Sequence, residues 1–211
     1  MHKNKPHIGV TLTIIYLALA TVALAIYSLI TQYVNDQNQS IIVGLLGWSA
    51  TLFATIALLY TFNSWREQKS LEVIAIEAKL IINELSKSSK ISEDLFYSFM
   101  QNNLDLYKSN KSNLHNIIDN GIKFQLDTLS HLIYINNSGK SDENLNEVIF
   151  QHNHSYYLFN GKLNYVSENR NKLNSDDINK QIITAFGDHR DCNLKLKSYL
   201  ANYALYKEYD S

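Results

Sequence analysis

Apolar residues run without a charge from Ile8 to Tyr33 and again from Ile41 to Phe62. After Asn63 they recur instead at three- and four-residue spacing, with polar residues between them. Each of the first two runs is long enough to cross a hydrocarbon core about 30 Å thick as a helix. The later spacing is that of amphipathic helices, and no strand-like alternation of useful length competes with it. The pattern predicts an all-α chain. Residues 1–62 form a transmembrane helical hairpin with spans at about 8–33 and 41–62, and residues 63–211 form a cytoplasmic helical bundle.

No Pro or Gly lies between Trp48 and Asn120, so the second span is predicted to continue as a long amphipathic helix ending near Ser86. One stripe follows it: Gly47, Ala50, Ala54, Ala57, Thr61, Ser64, Gln68, Leu71, Ala75, Ala78, Ile82 and Leu85. Within the bilayer the stripe is small, which lets another helix approach closely. Beyond it the stripe turns to Leu, Ala and Ile, as burial from water requires. Residues 41–85 span roughly 65–70 Å as a helix. Two assignments stay open: packing against the first span and then the bundle, or the seam of a homo-oligomer. The part beyond the membrane covers barely two heptads, short for a free-standing coiled coil.

The first span carries a stripe of its own, Thr13, Tyr16, Ala20, Ala23, Tyr27 and Thr31. It suits helix packing, with hydroxyls bonded to the backbone or across the pair; the alternative is a pore lining shared by several hairpins. Neither span holds an ionisable side chain that would serve a proton relay or charged filter. Lys3 and Lys5 precede the first span, Arg66 and Lys69 follow the second, and the turn 34–40 has no Lys or Arg. The positive-inside rule therefore puts both termini in the cytoplasm. Tyr33 and Trp48 suit the outer interface, and Tyr60 and Trp65 the inner one. Ala23-Leu24-Ala25 resembles a signal-cleavage site, but the run is too long for a signal core and a second span follows closely.

Further on, Lys87-Ser88-Ser89-Lys90 reads as a break, and Ser92 as an N-cap with Glu93 and Asp94 in the first turn. Leu95, Phe96, Phe99, Met100 and Leu104 or Leu106 give the next helix an apolar face, and polar Ser109 to Asn113 separates it from a helix through Leu114, Ile118, Ile122, Leu126, Leu129 and Ile133. Gly121 marks a close contact or a weak point, since glycine costs about 1 kcal/mol in a helix. Residues 136–144 read as a loop, Gly161 as a possible break, and Ser175-Asp176-Asp177 as a helix start. Four to six helices are expected to pack on the helix leaving the membrane.

Charge narrows the partners. Residues 63–211 carry 17 basic and 19 acidic side chains, with no polybasic cluster after the second span. That balance argues against nucleic acid as an obligatory partner and against specific anionic-lipid binding. Cys192 is the only cysteine, so no internal disulfide forms.

Reactive constellations are sparse. Gly139-Lys140-Ser141 matches the end of a phosphate-binding loop, but Tyr134 stands where that loop needs glycine. His152 and His154 point to opposite sides of a helix, which leaves His152 as a satisfied core residue rather than a metal ligand. Arg170 and Arg190 lack the following His of an RNase of the HEPN type, and Cys192 near His189 has no defined base or oxyanion site. Neither enzyme activity nor a cofactor is expected.

The run Ala57-Leu58-Leu59-Tyr60-Thr61-Phe62-Asn63-Ser64-Trp65-Arg66-Glu67-Gln68-Lys69 resembles the membrane-exit segment of small two-span bacterial inner-membrane proteins of unknown function. In these an aromatic and basic cluster follows the second span and a helical cytoplasmic domain completes the chain. The resemblance covers about residues 8–85 and implies an architecture, with no catalytic residue to carry over. Some proteins of this shape act as membrane effectors in phage defence. The expected function is a membrane-anchored scaffold, binding or signalling module that docks a cytoplasmic protein or self-associates. The alternative is an oligomeric effector that permeabilises the bilayer.

Overall fold

The structure, a computed structural model, describes residues 8–34, 39–137, 139–169 and 174–205. Every regular element among them is helical, and none is a strand. The order is α1 (Ile8–Val34), α2 (Gln39–Met100), α3 (Leu104–His115), a π-helical segment (Asn116–Ile122), α4 (Lys123–Asn136), α5 (Glu143–Asn169) and α6 (Ser175–Ala204). The chain divides into two units, Met1–Glu67 and Gln68–Ser211, and α2 contributes to both.

In the first unit, α1 and the first part of α2 are long and apolar enough to cross a membrane, by length and composition. Six of their hydroxyls bond within the helix that carries them. Thr21 donates to the Leu17 carbonyl, Thr31 to Tyr27, Ser49 to Leu46, Thr51 to Gly47, Thr55 to Thr51 and Thr61 to Ala57. A helix surrounded by hydrocarbon needs this, because no water is there to take an unpaired polar group. Tyr16 rests edge-on against Phe53, with centroids 5.2 Å apart, and Ala23 and Ser49 are buried. The turn residues 35–38 and the side chain of Tyr33 lie outside the described residues.

The second unit is built on the rest of α2, whose buried row is Ile74, Ala78, Ile81, Leu85, Ser88, Ser92, Leu95 and Phe99. The spacing alternates three and four without interruption. The helix expected to stop near Ser86 therefore continues to Met100, and neither the break at 87–90 nor the N-cap at Ser92 exists. Ser92 instead donates back to the Ser88 carbonyl at 2.8 Å, so a small, self-satisfied side chain holds a core position. Burying Ile81 and Leu85 contributes about 1.5–3 kcal/mol each. The real stop comes at Asn102, which has a φ of 59° and lies in the left-handed region that Asn tolerates. Asn103 then caps α3, accepting from the Leu106 N–H at 3.2 Å.

Ser109 to Asn113 do not separate two helices: α3, the π segment and α4 form one helical run. Propensity disfavours these polar residues only weakly, and burial of Tyr107 and Leu114 on either side overrides it. Gly121 lies inside the π segment with no atom near the position of a side chain, so it marks a widened turn and not a close contact. Gly161 breaks nothing, because α5 runs through it with Phe159, Leu163 and Val166 buried around it. Gly139-Lys140-Ser141 follows the end of α4. Gly139 adopts φ +84°, and its N–H bonds the Tyr134 carbonyl at 2.9 Å, a helix stop for which glycine is suited.

Asp142 caps α5, accepting from the Leu145 N–H at 3.0 Å. It also accepts from Tyr199, at 3.0 and 2.9 Å to its two oxygens, and from Tyr203. Burial alone would raise its pKa. The hydrogen bonds from Tyr203, Leu145, Tyr199 and Asn144 outweigh that and hold the carboxyl below the ordinary range. The carboxylate thus clamps the end of α6 to the start of α5. Asp142→Ala is expected to cost about 0.5–2 kcal/mol, the range for a lost helix cap. Urea unfolding of the full chain in detergent measures it; an unchanged midpoint means that the clamp contributes nothing.

Candidate functional site

α5 and α6 lie antiparallel, as their cross-links show: Lys162 to Gln181 at 3.2 Å, Lys195 to Gln151 at 2.8 Å, and Tyr199 to Asp142. Between them lies a groove of about 550 Å³, lined from α5 by Phe150, Gln151, His154, Ser155, Leu158 and Lys162 and from α6 by Lys180, Gln181, Thr184, Ala185, Asp188 and Cys192. The α5 set repeats every four residues, which puts Phe150, His154, Leu158 and Lys162 along one edge. The groove is mainly apolar. Its two lysines lie together at the end nearer the α5–α6 connection, and Phe150 and Cys192 form the other end. Phe150 is 68% exposed and Leu158 is 52% exposed, large side chains left uncovered beside a concave surface.

Behind the groove lies a buried polar layer. His152 and His189 are fully buried, with ring centroids 5.7 Å apart, and His189 stacks on Phe159 at 5.8 Å. Ser155 donates to the His152 carbonyl at 2.7 Å and lies 3.4 Å from Nδ1 of His189. Its proton is thereby used, so His189 Nδ1–H is the donor of that long contact. His152 Nδ1 likewise faces Asn153 Oδ1 at 3.3 Å. Both Nε2 atoms are left as bare acceptors, buried and without a partner among the described residues. His152 is therefore buried as expected but only half satisfied, since its Nδ1 meets Asn153 while its Nε2 has no hydrogen-bond partner among the described residues. Burial pushes its pKa down to about 4. Burial, with the charge His152 would carry, pushes His189 down to about 3. Both rings are neutral at physiological pH.

A second polar cluster ties the π segment to α5. His115 Nδ1 approaches Asp119 at 2.6 Å, Tyr157 donates to Asp119 at 2.9 Å, and Tyr156 Oη lies 3.3 Å from His115. Burial, then the Asp119 charge, raises the Tyr156 pKa. Ser155 belongs both to the buried polar layer and to the groove lining. Among the described residues no three His, Cys, Asp or Glu side chains gather as metal ligands. Cys192 lines the groove while His189 faces the core, and Arg190 pairs with Asp191 at the surface at 3.7 Å. Arg170 lies outside the described residues.

The stripe on α2 divides into two halves. Gly47, Ala50, Ala54 and Thr61 are exposed and Ala57 is half-buried. Leu71 and Ile82 are half-buried, and Ala75, Ala78 and Leu85 are buried. Within the first unit the covered positions of α2 are Leu45, Ser49, Leu52, Phe53, Ile56, Ala57, Tyr60 and Ser64, a face turned away from Gly47 and Ala54. Of the residues expected at the membrane interface, Trp48, Trp65, Arg66 and Lys69 are exposed, Tyr60 is half-buried, and Lys69 pairs with Glu72 at 2.9 Å. Sequence reading did not single out the groove residues Phe150, Leu158, Lys162, Lys180 and Ala185 as a site. The four-residue repeat on α5 was the available signal, but it needs the register of α6 to become a site.

No family model, curated protein or solved structure matches the chain.

Proposed function

We infer that this chain is a membrane-anchored helical binding or scaffold protein. In this reading α1 and the first part of α2 cross a bacterial inner membrane as a hairpin with both termini in the cytoplasm. The helical unit that follows docks a cytoplasmic protein partner. The observation that carries it is the pair of long apolar stretches, free of charge and largely uncovered, with six of their hydroxyls bonded within the helix. The Lys and Arg placement at the flanks supports the orientation. Alkaline extraction of membranes, with protease digestion of a C-terminal tag in intact and broken spheroplasts, tests it. Retention in the membrane with digestion only after breakage is the expected result. Release by alkali would end the anchoring reading, and digestion in intact spheroplasts would reverse the orientation.

A second reading, an oligomeric effector that permeabilises the membrane, is favoured by one observation. Gly47, Ala50, Ala54 and Thr61 stay exposed in a single chain, although small residues on a membrane helix suit close helix approach. Gly47→Leu with Ala54→Leu leaves the covered face untouched and blocks that approach. Depolarisation by the full chain, lost in the double variant at equal insertion, supports the effector. A monomer in mild detergent excludes it.

A further inference from the structure

We propose that the groove between α5 and α6 binds a single-chain anionic amphiphile, a fatty acid of about twelve carbons, with its carboxylate at Lys162 and Lys180 and its hydrocarbon along Leu158 and Ala185 toward Phe150 and Cys192. This goes beyond the anchoring reading and does not depend on it.

Shape, lining and charge all point to this ligand. A groove of about 550 Å³ is of small-ligand size, and its lining is mainly apolar. From Phe150 to Lys162 the α5 edge runs about 18 Å. An extended chain of about twelve carbons covers roughly 15 Å of that. Packed helices lie about 8–10 Å apart, too close for a third helix of about 10 Å diameter to sink between them, whereas one hydrocarbon chain enters. The uncovered Phe150 and Leu158 would leave water on binding.

Charge sets the direction of the ligand. Lys162 and Lys180 are exposed at one end. Lys162 makes only a neutral contact, to Gln181, and Lys180 has no ion-pair or side-chain hydrogen-bond partner among the described residues. Two ammonium groups beside an apolar trough suit a carboxylate with a tail. Asp188, the one acidic side chain in the lining, lies two turns along α6 from Lys180, about 12 Å away, and so opposes a carboxylate at its own end.

The native cysteine reports occupancy. Cys192 lies in the groove at the tail end, so a bound chain covers its thiol. The full chain in nanodiscs of zwitterionic phosphatidylcholine is alkylated with a maleimide while dodecanoate or dodecanol is titrated. Dodecanoate is expected to slow alkylation of Cys192 in a saturable way, and dodecanol about tenfold less effectively, the loss expected for one charge-assisted contact. Lys162→Glu with Lys180→Glu alters only exposed side chains, and its helicity is checked by circular dichroism. It should abolish the preference for dodecanoate. Equal protection by dodecanol, protection unchanged in the lysine variant, or no protection at all would each overturn the proposal. A phosphate dianion that slows alkylation as well as dodecanoate would overturn it too, assigning the lysines to a tail-less anion.

Discussion

Lowering the pH from 7 to 4 is expected to destabilise the second unit by several kcal/mol, with most of the loss between pH 6.5 and 4. The cause is the pair of buried rings, His152 and His189. In the unfolded chain each takes a proton near pH 6.5; in the folded chain burial holds them at about 4 and about 3. Between those limits the unfolded state binds more protons, so stability falls as pH falls. Well above pH 6.5 both states are neutral and the rings contribute no pH dependence. Over this window each ring is expected to cost about 3 kcal/mol, against a typical domain stability of about 5–15 kcal/mol. Asp142 acts in a different window. Its depressed pKa contributes stability above about 3.8 that is lost as pH falls further, so it steepens the acid limb without moving its start. Urea midpoints followed by near-ultraviolet circular dichroism, from pH 7.5 to 4, measure the slope. In His152→Leu with His189→Leu the slope between pH 6.5 and 4 should flatten. A wild-type midpoint constant over that range would show that the rings protonate freely in the folded state.

Replacing Ser88 separates a continuous helix from a broken one. Ser88→Pro is expected to cost about 3 kcal/mol or more, because proline in a helix interior removes a hydrogen bond and clashes with the preceding turn. It would also displace the row on either side, with Leu85 and Leu95 both buried. Ser88→Ala should be neutral or stabilising by about 1 kcal/mol, since the Ser88 hydroxyl is buried without a partner among the described residues. A chain with a true break at 87–90 would tolerate the proline. Thermal unfolding of both variants in the same detergent distinguishes the two, and equal midpoints for proline and alanine would rule out a continuous helix there.

Much of the secondary structure can be read from residue types alone. The uncharged runs give the two apolar helices, and the three-four spacing gives helices in the second unit, since both follow from period and length. At residues 87–92 the three-four spacing outweighs residue propensity. Ser88 and Ser92 look like a break because serine competes with helix hydrogen bonding. Ser92 resolves that competition by bonding the carbonyl four residues back, and then behaves as a small core residue. Asn110 and Lys111 looked like a linker for the same reason. In the fold Lys111 instead donates to Asn164 on α5 and sits 5.9 Å over the Tyr107 ring. The π segment left no trace beyond Gly121.

The groove and the histidine pair belong to another category. Along α5, Phe150, Leu158 and Lys162 are surface positions of an amphipathic helix, and along α6 the same holds for Lys180 and Asp188. They become one lining only through the register in which the two helices meet, held by Asp142 with Tyr199 and Tyr203 at one end and by Lys162 with Gln181 toward the other. His152 and His189 likewise become a buried pair, with two bare ring nitrogens, only when α5 and α6 bring them together. Sequence by itself determined the helices, the uncharged length of the first two, and the absence of an internal disulfide, because these depend on local spacing and residue type. Tertiary structure alone decided which serines are core, which lysines share a groove and which histidines lose water, because each depends on what a neighbouring helix places opposite.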